Sequence, residues 1–196
     1  MNKRFEKINP KKTALLVIDM QNDFVKKGAV IEVANARKIL KNLQKFADEC
    51  RKKKMIVIFT KHIYDPKKNP VEAVLFPELE KMGLRKNTYG ADVASDLKIE
   101  KSDIVLEKNR YDAFYQTKLE SILKKKSITD LIITGTMTNV CCESTARGAM
   151  MRDFNVWFCS DLTATSNKEK HLCSLKTIAT HFGKVLKSSE IWKFLS

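Results

Sequence analysis

Short apolar, β-branched runs alternate along this chain with longer stretches in which apolar residues recur at helical spacing. The runs are Thr13–Ile18, Met55–Thr60, Asp103–Leu106, Asp130–Thr134, Val156–Ser160 and Lys184–Leu186. Each holds few alternating polar residues, as a strand covered on both faces does. Between the first two runs, Ala36, Ile39, Leu40, Leu43, Phe46, Ala47 and Cys50 fall on one face of a helix over Val33–Lys54. Cys50 therefore reads as core. Further helices are predicted over Tyr115–Lys125, Val140–Arg152 and Lys168–Phe182. The alternation predicts an α/β fold, a parallel sheet with helices on both faces, in one domain over residues 1–196. Residues 61–102 hold Pro66, Pro70, Pro77 and Gly90 and show no sustained period. They read as a long connection with a short helix, a candidate lid.

Composition narrows the class. A chain of 196 residues buries about 70% of its unfolded surface and needs neither disulfides nor a structural metal to fold. No run approaches the roughly 20 apolar residues of a membrane span. The first run stops at Asp19, too soon for the apolar core of a secretory signal. The five cysteines include the adjacent pair Cys141-Cys142 and show no C-x-x-C spacing. A reducing cytoplasm is the expected location.

Lysine and arginine number 37 against 23 acidic residues, a formal charge of +14. Such a surplus attracts nucleic acid or anionic lipid. Its placement argues otherwise. Arg51–Lys54 and Lys124–Lys126 each end a predicted helix just before a strand, where a cation complements the helix dipole by about 0.3–1 kcal/mol. In an α/β sheet that edge lies opposite the ligand crevice. Aromatics are not interleaved with the basic runs, as a single-strand groove would require. Neither nucleic acid nor a membrane is an expected partner.

Three ionisable residues fall at strand ends and hence at the carboxyl edge of the sheet: Asp19, Lys108 and Cys141. A cysteine in the first turn of a helix has its thiolate stabilised by unpaired N–H groups and the dipole. A neighbouring Lys108 ammonium would lower its pKa further. Asp19 could take the thiol proton and return it to a leaving group. Gly135 permits a tight turn, so that N–H groups around Met137 and Cys141 could form an oxyanion hole. Taken singly, each residue has a commoner reading: a turn-capping carboxylate, a solvated lysine, a core cysteine. Their shared edge favours the functional one, and spacing alone names no reaction.

The segments Asp19-Met20-Gln21-Asn22-Asp23-Phe24, Lys108-Asn109-Arg110-Tyr111-Asp112-Ala113-Phe114 and Thr134 to Arg147, with Asn139-Val140-Cys141-Cys142-Glu143-Ser144-Thr145 at its centre, resemble those of the isochorismatase-like cysteine hydrolases. The resemblance runs over roughly residues 10–190. It implies a Rossmann-like three-layer αβα sandwich with a six-stranded parallel sheet and an Asp–Lys–Cys triad, matched by Asp19, Lys108 and Cys141. It also implies a cis peptide at Thr136–Met137, and it places Cys141, rather than Cys142, as the nucleophile. Members mostly cleave amide or ureide C–N bonds through a thioester, without a cofactor. Homo-oligomers are common among them, and Trp157-Phe158 would offer an apolar face for one.

Two departures matter. Metal-dependent nicotinamidases of the family carry an Asp-x-His pair and further histidines after the second strand. Here the segment is Thr60-Lys61-His62-Ile63-Tyr64-Asp65, and the chain has only His62, His171 and His181. A metal site needs three or four placed ligands, so no metal is expected and a nicotinamidase is disfavoured. The Cys and Arg-Tyr-Asp-Ala-Phe motifs look closer to the ureidoacrylate, biuret and N-carbamoyl amidohydrolases. Gly148 stands where the family usually has Asp.

Phe24, His62, Tyr89, Tyr111 and Phe114 are the candidate substrate contacts, lying near the motifs or in the lid. Cys159 and Cys173 read as buried apolar residues, and Asp23 and Glu143 as either site or helix-end carboxylates. The expected function is hydrolysis of a C–N bond in a small amide, carbamoyl or ureide compound. The rivals are enol-ether hydrolysis of the isochorismatase type, which needs no covalent cysteine, and a non-catalytic ligand-binding protein on the same fold.

Overall fold

The computed structural model describes residues 4–81 and 83–195. The strands are β1 (Thr13–Ile18), β2 (Ile56–His62), β3 (Ile104–Lys108), β4 (Asp130–Thr136), β5 (Asn155–Ala164) and β6 (Lys184–Leu186). They form one sheet in the order β3-β2-β1-β4-β5-β6, and every neighbouring pair is parallel. The helices are α1 (Asn22–Val25), α2 (Ala34–Lys52), α3 (Pro70–Leu75), α4 (Leu119–Lys125), α5 (Glu143–Met150), α6 (Lys168–His181) and α7 (Ser188–Ile191).

Alternation along β1 explains the layers. Leu15 and Val17 join a cluster with Leu40, Leu43 and Phe46 of α2 and Ile191 of α7. Ala14, Leu16 and Ile18 join Leu119 and Leu123 of α4, Ala146 and Ala149 of α5 and Ile178 of α6. All six residues of β1 are buried, and this accounts for its unbroken apolar run. The result is the expected αβα sandwich. Strand order reverses between β1 and β4, the place where such sheets open a crevice at their carboxyl ends.

Element ends differ from the sequence-based expectation for local reasons. Strand β2 runs on through Lys61 and His62 because both pair with β3, Lys61 with Glu107 and His62 with Lys108. Strand β5 continues through Asp161 to Ala164 and rejoins β4 after an irregularity at Ile133/Gly135. Helix α4 starts at Leu119, not Tyr115, because Gln116 adopts φ 53°. The helix expected over Val140–Arg152 is a π-helical turn, Thr138–Cys142, followed by α5.

The basic runs lie where expected. Arg51 and Lys52 occupy the last turn of α2, and Lys124 and Lys125 that of α4. Trp157 and Phe158 are both 0% exposed, so the apolar face proposed for self-association is internal to the chain. Cys173 is also corrected: it is exposed on α6, whereas Cys50 and Cys159 are buried. No helix among the described residues is long and apolar enough to cross a membrane.

Candidate active site

Asp19 follows β1 with φ 48°, a left-handed conformation that Asp tolerates better than most residues. It is fully buried. Its Oδ1 accepts a hydrogen bond from the Thr60 hydroxyl at 2.5 Å, and the same hydroxyl oxygen accepts from the Asp19 N–H at 3.1 Å. Oδ2 lies 2.6 Å from Lys108 Nζ. Lys108 sits on β3, two strands from β1 and so about 10 Å away in the sheet. Its side chain crosses the end of β2 to make the contact. His62, on the intervening strand, is therefore part of the arrangement: Lys108 Nζ lies 3.2 Å from His62 Nδ1 and donates to the Arg110 carbonyl at 3.0 Å.

Gly135 makes room for the other half of the site. It pairs with Ile18 at the end of β1 and has φ +111°. The chain then passes through the Thr136–Met137 peptide, which is cis as the resemblance implied. In the π-helical turn that follows, Thr138 Oγ1 bonds to His171 Nδ1 at 2.9 Å, and Ser174 donates to the Thr138 carbonyl at 3.2 Å. The turn presents Cys141 to a cavity of about 410 Å³ lined also by Phe24, His62, Glu72, Tyr111 and Met137. Cys142 points the other way, its thiol facing the Thr134 carbonyl of β4 at 3.8 Å. A carboxylate oxygen of Asp19, a ring nitrogen of His62 and Cys141 Sγ all lie within 4.8 Å of one another.

The electrostatics reverse one expectation. Burial pushes the Cys141 thiol well above its usual range; Lys108 pulls it down and the Asp19 carboxylate pushes it up again. The depressed pKa expected from a helix N-terminus is not found, because the loss of water outweighs the neighbouring ammonium. Burial also opposes the charge on Lys108, but Asp19 and Cys141 together outweigh it and the ammonium's pKa is raised. The site thus sets an ion pair beside a thiol whose burial favours the protonated form. Tyr111, half-buried on the cavity wall, has its pKa raised to about 12, chiefly by burial, and faces the cavity as a neutral phenol.

Asp19, His62 and Cys141 are also the kinds of side chain that ligate a metal. Their geometry does not fit one. Asp19 Oδ2 and His62 Nδ1 both face Lys108 Nζ, so the ammonium takes the place a cation would need. His62 Nε2 lies 2.9 Å from Glu72 Oε1. Neither of the other histidines joins the group, since His171 serves the π-helical turn and His181 ends α6.

A model of the isochorismatase domain matches residues 13–190. The chain belongs to the isochorismatase family. It is 34% identical over 190 residues to nicotinamidase 3 of Arabidopsis thaliana, covering 95% of this chain and 90% of that one. It is 36% identical over 170 residues to a probable inactive nicotinamidase of the same plant, covering 83% and 86%. Among solved structures, a cysteine hydrolase from Pseudomonas syringae pv. phaseolicola superposes with a TM-score of 0.91 at 28% identity, covering 97% and 95% of the two chains.

Of the five expected substrate contacts in this isochorismatase-family chain, Phe24, His62 and Tyr111 line the cavity. Tyr89 and Phe114 do not. Tyr89 is 66% exposed and contributes its carbonyl to Asn22 Nδ2 at 2.8 Å. Phe114 is buried against Phe154, ring centroids 5.8 Å apart, with the Arg152 guanidinium over its face. Asp23 and Glu143 serve the backbone and neighbouring helices. Asp23 accepts from the Leu84 N–H at 2.7 Å, and Glu143 accepts from Ser174 and Arg147, each at 2.6 Å.

Sequence reasoning missed Thr60 and Glu72. Thr60 was legible only as the last residue of a strand, and Glu72 lies in the irregular connection. A retrospective signal for Glu72 exists: Pro70 opens α3 and Glu72 falls in its first turn.

Gly148 has a clear role. A Cβ there would lie 2.5 Å from Asp112 Oδ2. The Asp112 carboxylate, which accepts from the Phe114 N–H at 2.9 Å, fills the space beside this helical position. Gly148→Asp sets two carboxylates against each other in one space and should lower stability by about 1–3 kcal/mol. Adding Asp112→Ala should recover most of it in a thermal melt. Equal melting temperatures for Gly148→Asp and wild type would show that the contact is not close.

Proposed function

We propose that this chain is a cysteine amidohydrolase that cleaves a C–N bond of a small amide, carbamoyl or ureide compound through a thioester on Cys141. The observation that carries the reading is the buried Asp19–Lys108 ion pair, 2.6 Å across, with the Cys141 thiol within 4.8 Å of Asp19 on the cavity wall. The protonated thiol suits a base-assisted attack. Asp19 takes the proton as sulfur bonds to the substrate carbonyl carbon, and Lys108 offsets the charge that develops. The N–H groups of Met137 and Cys141 hold the oxyanion. As the tetrahedral adduct collapses, the C–N bond breaks and the Asp19 proton leaves on the amine. Water then gives a proton to Asp19 and adds to the thioester; the acid departs and the proton returns to sulfur. No cofactor or metal enters these steps.

Phe24, Ile31, Val33, Phe76, Leu79 and Leu84 form the apolar part of the cavity, which supports a compact substrate whose amide end meets the polar floor. The proposal includes a cytoplasmic, homo-oligomeric enzyme; light scattering in solution tests the assembly.

Ammonia release should be measured over a panel of small amides, ureides and carbamoyl compounds, for wild type and Cys141→Ala. Release that falls below about one part in 10³ in the variant, with a thioester adduct of wild type seen by mass spectrometry, is the expected result. Release that persists in Cys141→Ala would remove the covalent step, and no release from any compound would favour enol-ether chemistry or a binding role. Binding of panel compounds without turnover by wild type would favour a non-catalytic role, the reading that the probable inactive relative makes worth testing.

A further inference from the structure

Around the Lys108 ammonium lie Asp19 Oδ2 at 2.6 Å, His62 Nδ1 at 3.2 Å, the Arg110 carbonyl at 3.0 Å and the Cys141 sulfur. An ammonium donates and never accepts. His62 Nδ1 must therefore present a lone pair, and the proton of the neutral ring sits on Nε2. That N–H is 1% exposed with its residue and makes no aligned hydrogen bond among the described residues, and Glu72 Oε1 lies 2.9 Å from it. The other oxygen of Glu72 is held by Asn69 Nδ2, whose own Oδ1 accepts from the Asp65 N–H at 2.9 Å. The ring is faced by Glu72, Lys108, Tyr111, Asp19 and Cys141.

We infer that Glu72 is a positioning residue that acts through His62: its Oε1, 2.9 Å from Nε2, repels a bare lone pair there and so fixes the tautomer that lets Nδ1 hold the Lys108 ammonium on Asp19. The inference rests on the proposed function in giving Lys108 a chemical task, but its structural core stands without turnover. With Glu72 removed, the ring is free to carry its proton on Nδ1. An N–H then faces the ammonium, which loses one acceptor and shifts away from Asp19. Glu72 rides on α3, a short helix whose Val71, Val74 and Leu75 are exposed, so the arrangement of the connection over the cavity is coupled to the geometry of its floor.

The chain has only three histidines, so ¹⁵N-histidine NMR of the intact protein reads the tautomer directly. Wild type should show His62 protonated at Nε2 and bare at Nδ1. In Glu72→Ala the Nδ1-protonated form should appear, with kcat reduced about 10- to 100-fold and KM within about threefold. Glu72→Gln keeps an acceptor oxygen and should stay near wild type. In His62→Asn the Oδ1 takes the place of Nδ1 and needs no orientation by Glu72, so Glu72→Ala should cost nothing further in that background.

An Nδ1-protonated His62 in wild type, an unchanged spectrum in Glu72→Ala, or additive effects of the two substitutions would each overturn the inference. If no amide is turned over, the proposed function fails while the wild-type spectrum still decides the tautomer. That spectrum needs no variant to fold.

Discussion

Lys108→Met melts well below wild type and loses at least about 10³-fold in kcat/KM. Methionine reproduces most of the lysine stem, so the cavity left behind is small and the loss is mainly electrostatic. Asp19 is 0% exposed, and without the ammonium its carboxylate keeps only neutral donors, the Thr60 hydroxyl at 2.5 Å and the Cys141 thiol. Breaking a buried pair by removing one partner costs about 3–5 kcal/mol, because a charge is left without compensation. For a chain of this length that corresponds to a fall of about 6–20 °C in melting temperature.

The second substitution separates stability from chemistry. Asp19→Asn in the Lys108→Met background removes the orphaned charge, and the melting temperature should recover most of the loss. Activity should not return, since no group is left to accept the thiol proton. Differential scanning calorimetry and the ammonia assay on wild type and these two variants check both halves. A Lys108→Met protein as stable as wild type would mean that Asp19 has other compensation than the structure assigns.

Gly135→Ala is the other large effect. The φ of +111° at Gly135 lies outside what an L side chain readily adopts, and strain of that kind costs about 1–3 kcal/mol. A Cβ would also fall inside the van der Waals envelope of the Ile18 carbonyl oxygen and 2.6 Å from the Ile18 nitrogen. These are backbone atoms of a buried strand, so no side chain can swing aside. Relief requires β1 and β4 to separate where Asp19 and the Cys141 turn leave them, at about 1–3 kcal/mol more. The expected result is a drop of at least about 4 °C in melting temperature, or failure to accumulate as folded protein. A variant melting within experimental error of wild type would contradict this close approach.

The strands of this fold were legible because each is covered on both faces, so that Thr13–Ile18 and Asp130–Thr134 read as unbroken apolar runs. Their ends were not. Lys61 and His62 look like loop residues by composition and become strand only through pairing with Glu107 and Lys108, a contact no local pattern reports. The same limit hid Glu72, whose partner is ten positions away in sequence but reached through the tertiary fold.

Asp19, Lys108 and Cys141 were readable because strand ends converge on one edge whatever the loops do. Tyr89 and Phe114 were misplaced because an aromatic ring beside a motif carries no signal of which way it turns. The direction of the Cys141 shift was misread for a related reason: helix position is visible in sequence, but the depth of burial that overrides it is not.

The exposed thiol on α6 changes how reagent chemistry on this protein must be read. Cys50, Cys141, Cys142 and Cys159 are all buried, and only Cys173 is open to solvent. The first equivalent of a maleimide or disulfide reagent will therefore report Cys173, next to Ser174 that braces the π-helical turn, and its stoichiometry will say nothing about the cavity. Alkylation kinetics and substrate-protection experiments become interpretable only in a Cys173→Ser background, where the first thiol to react is the one the cavity admits.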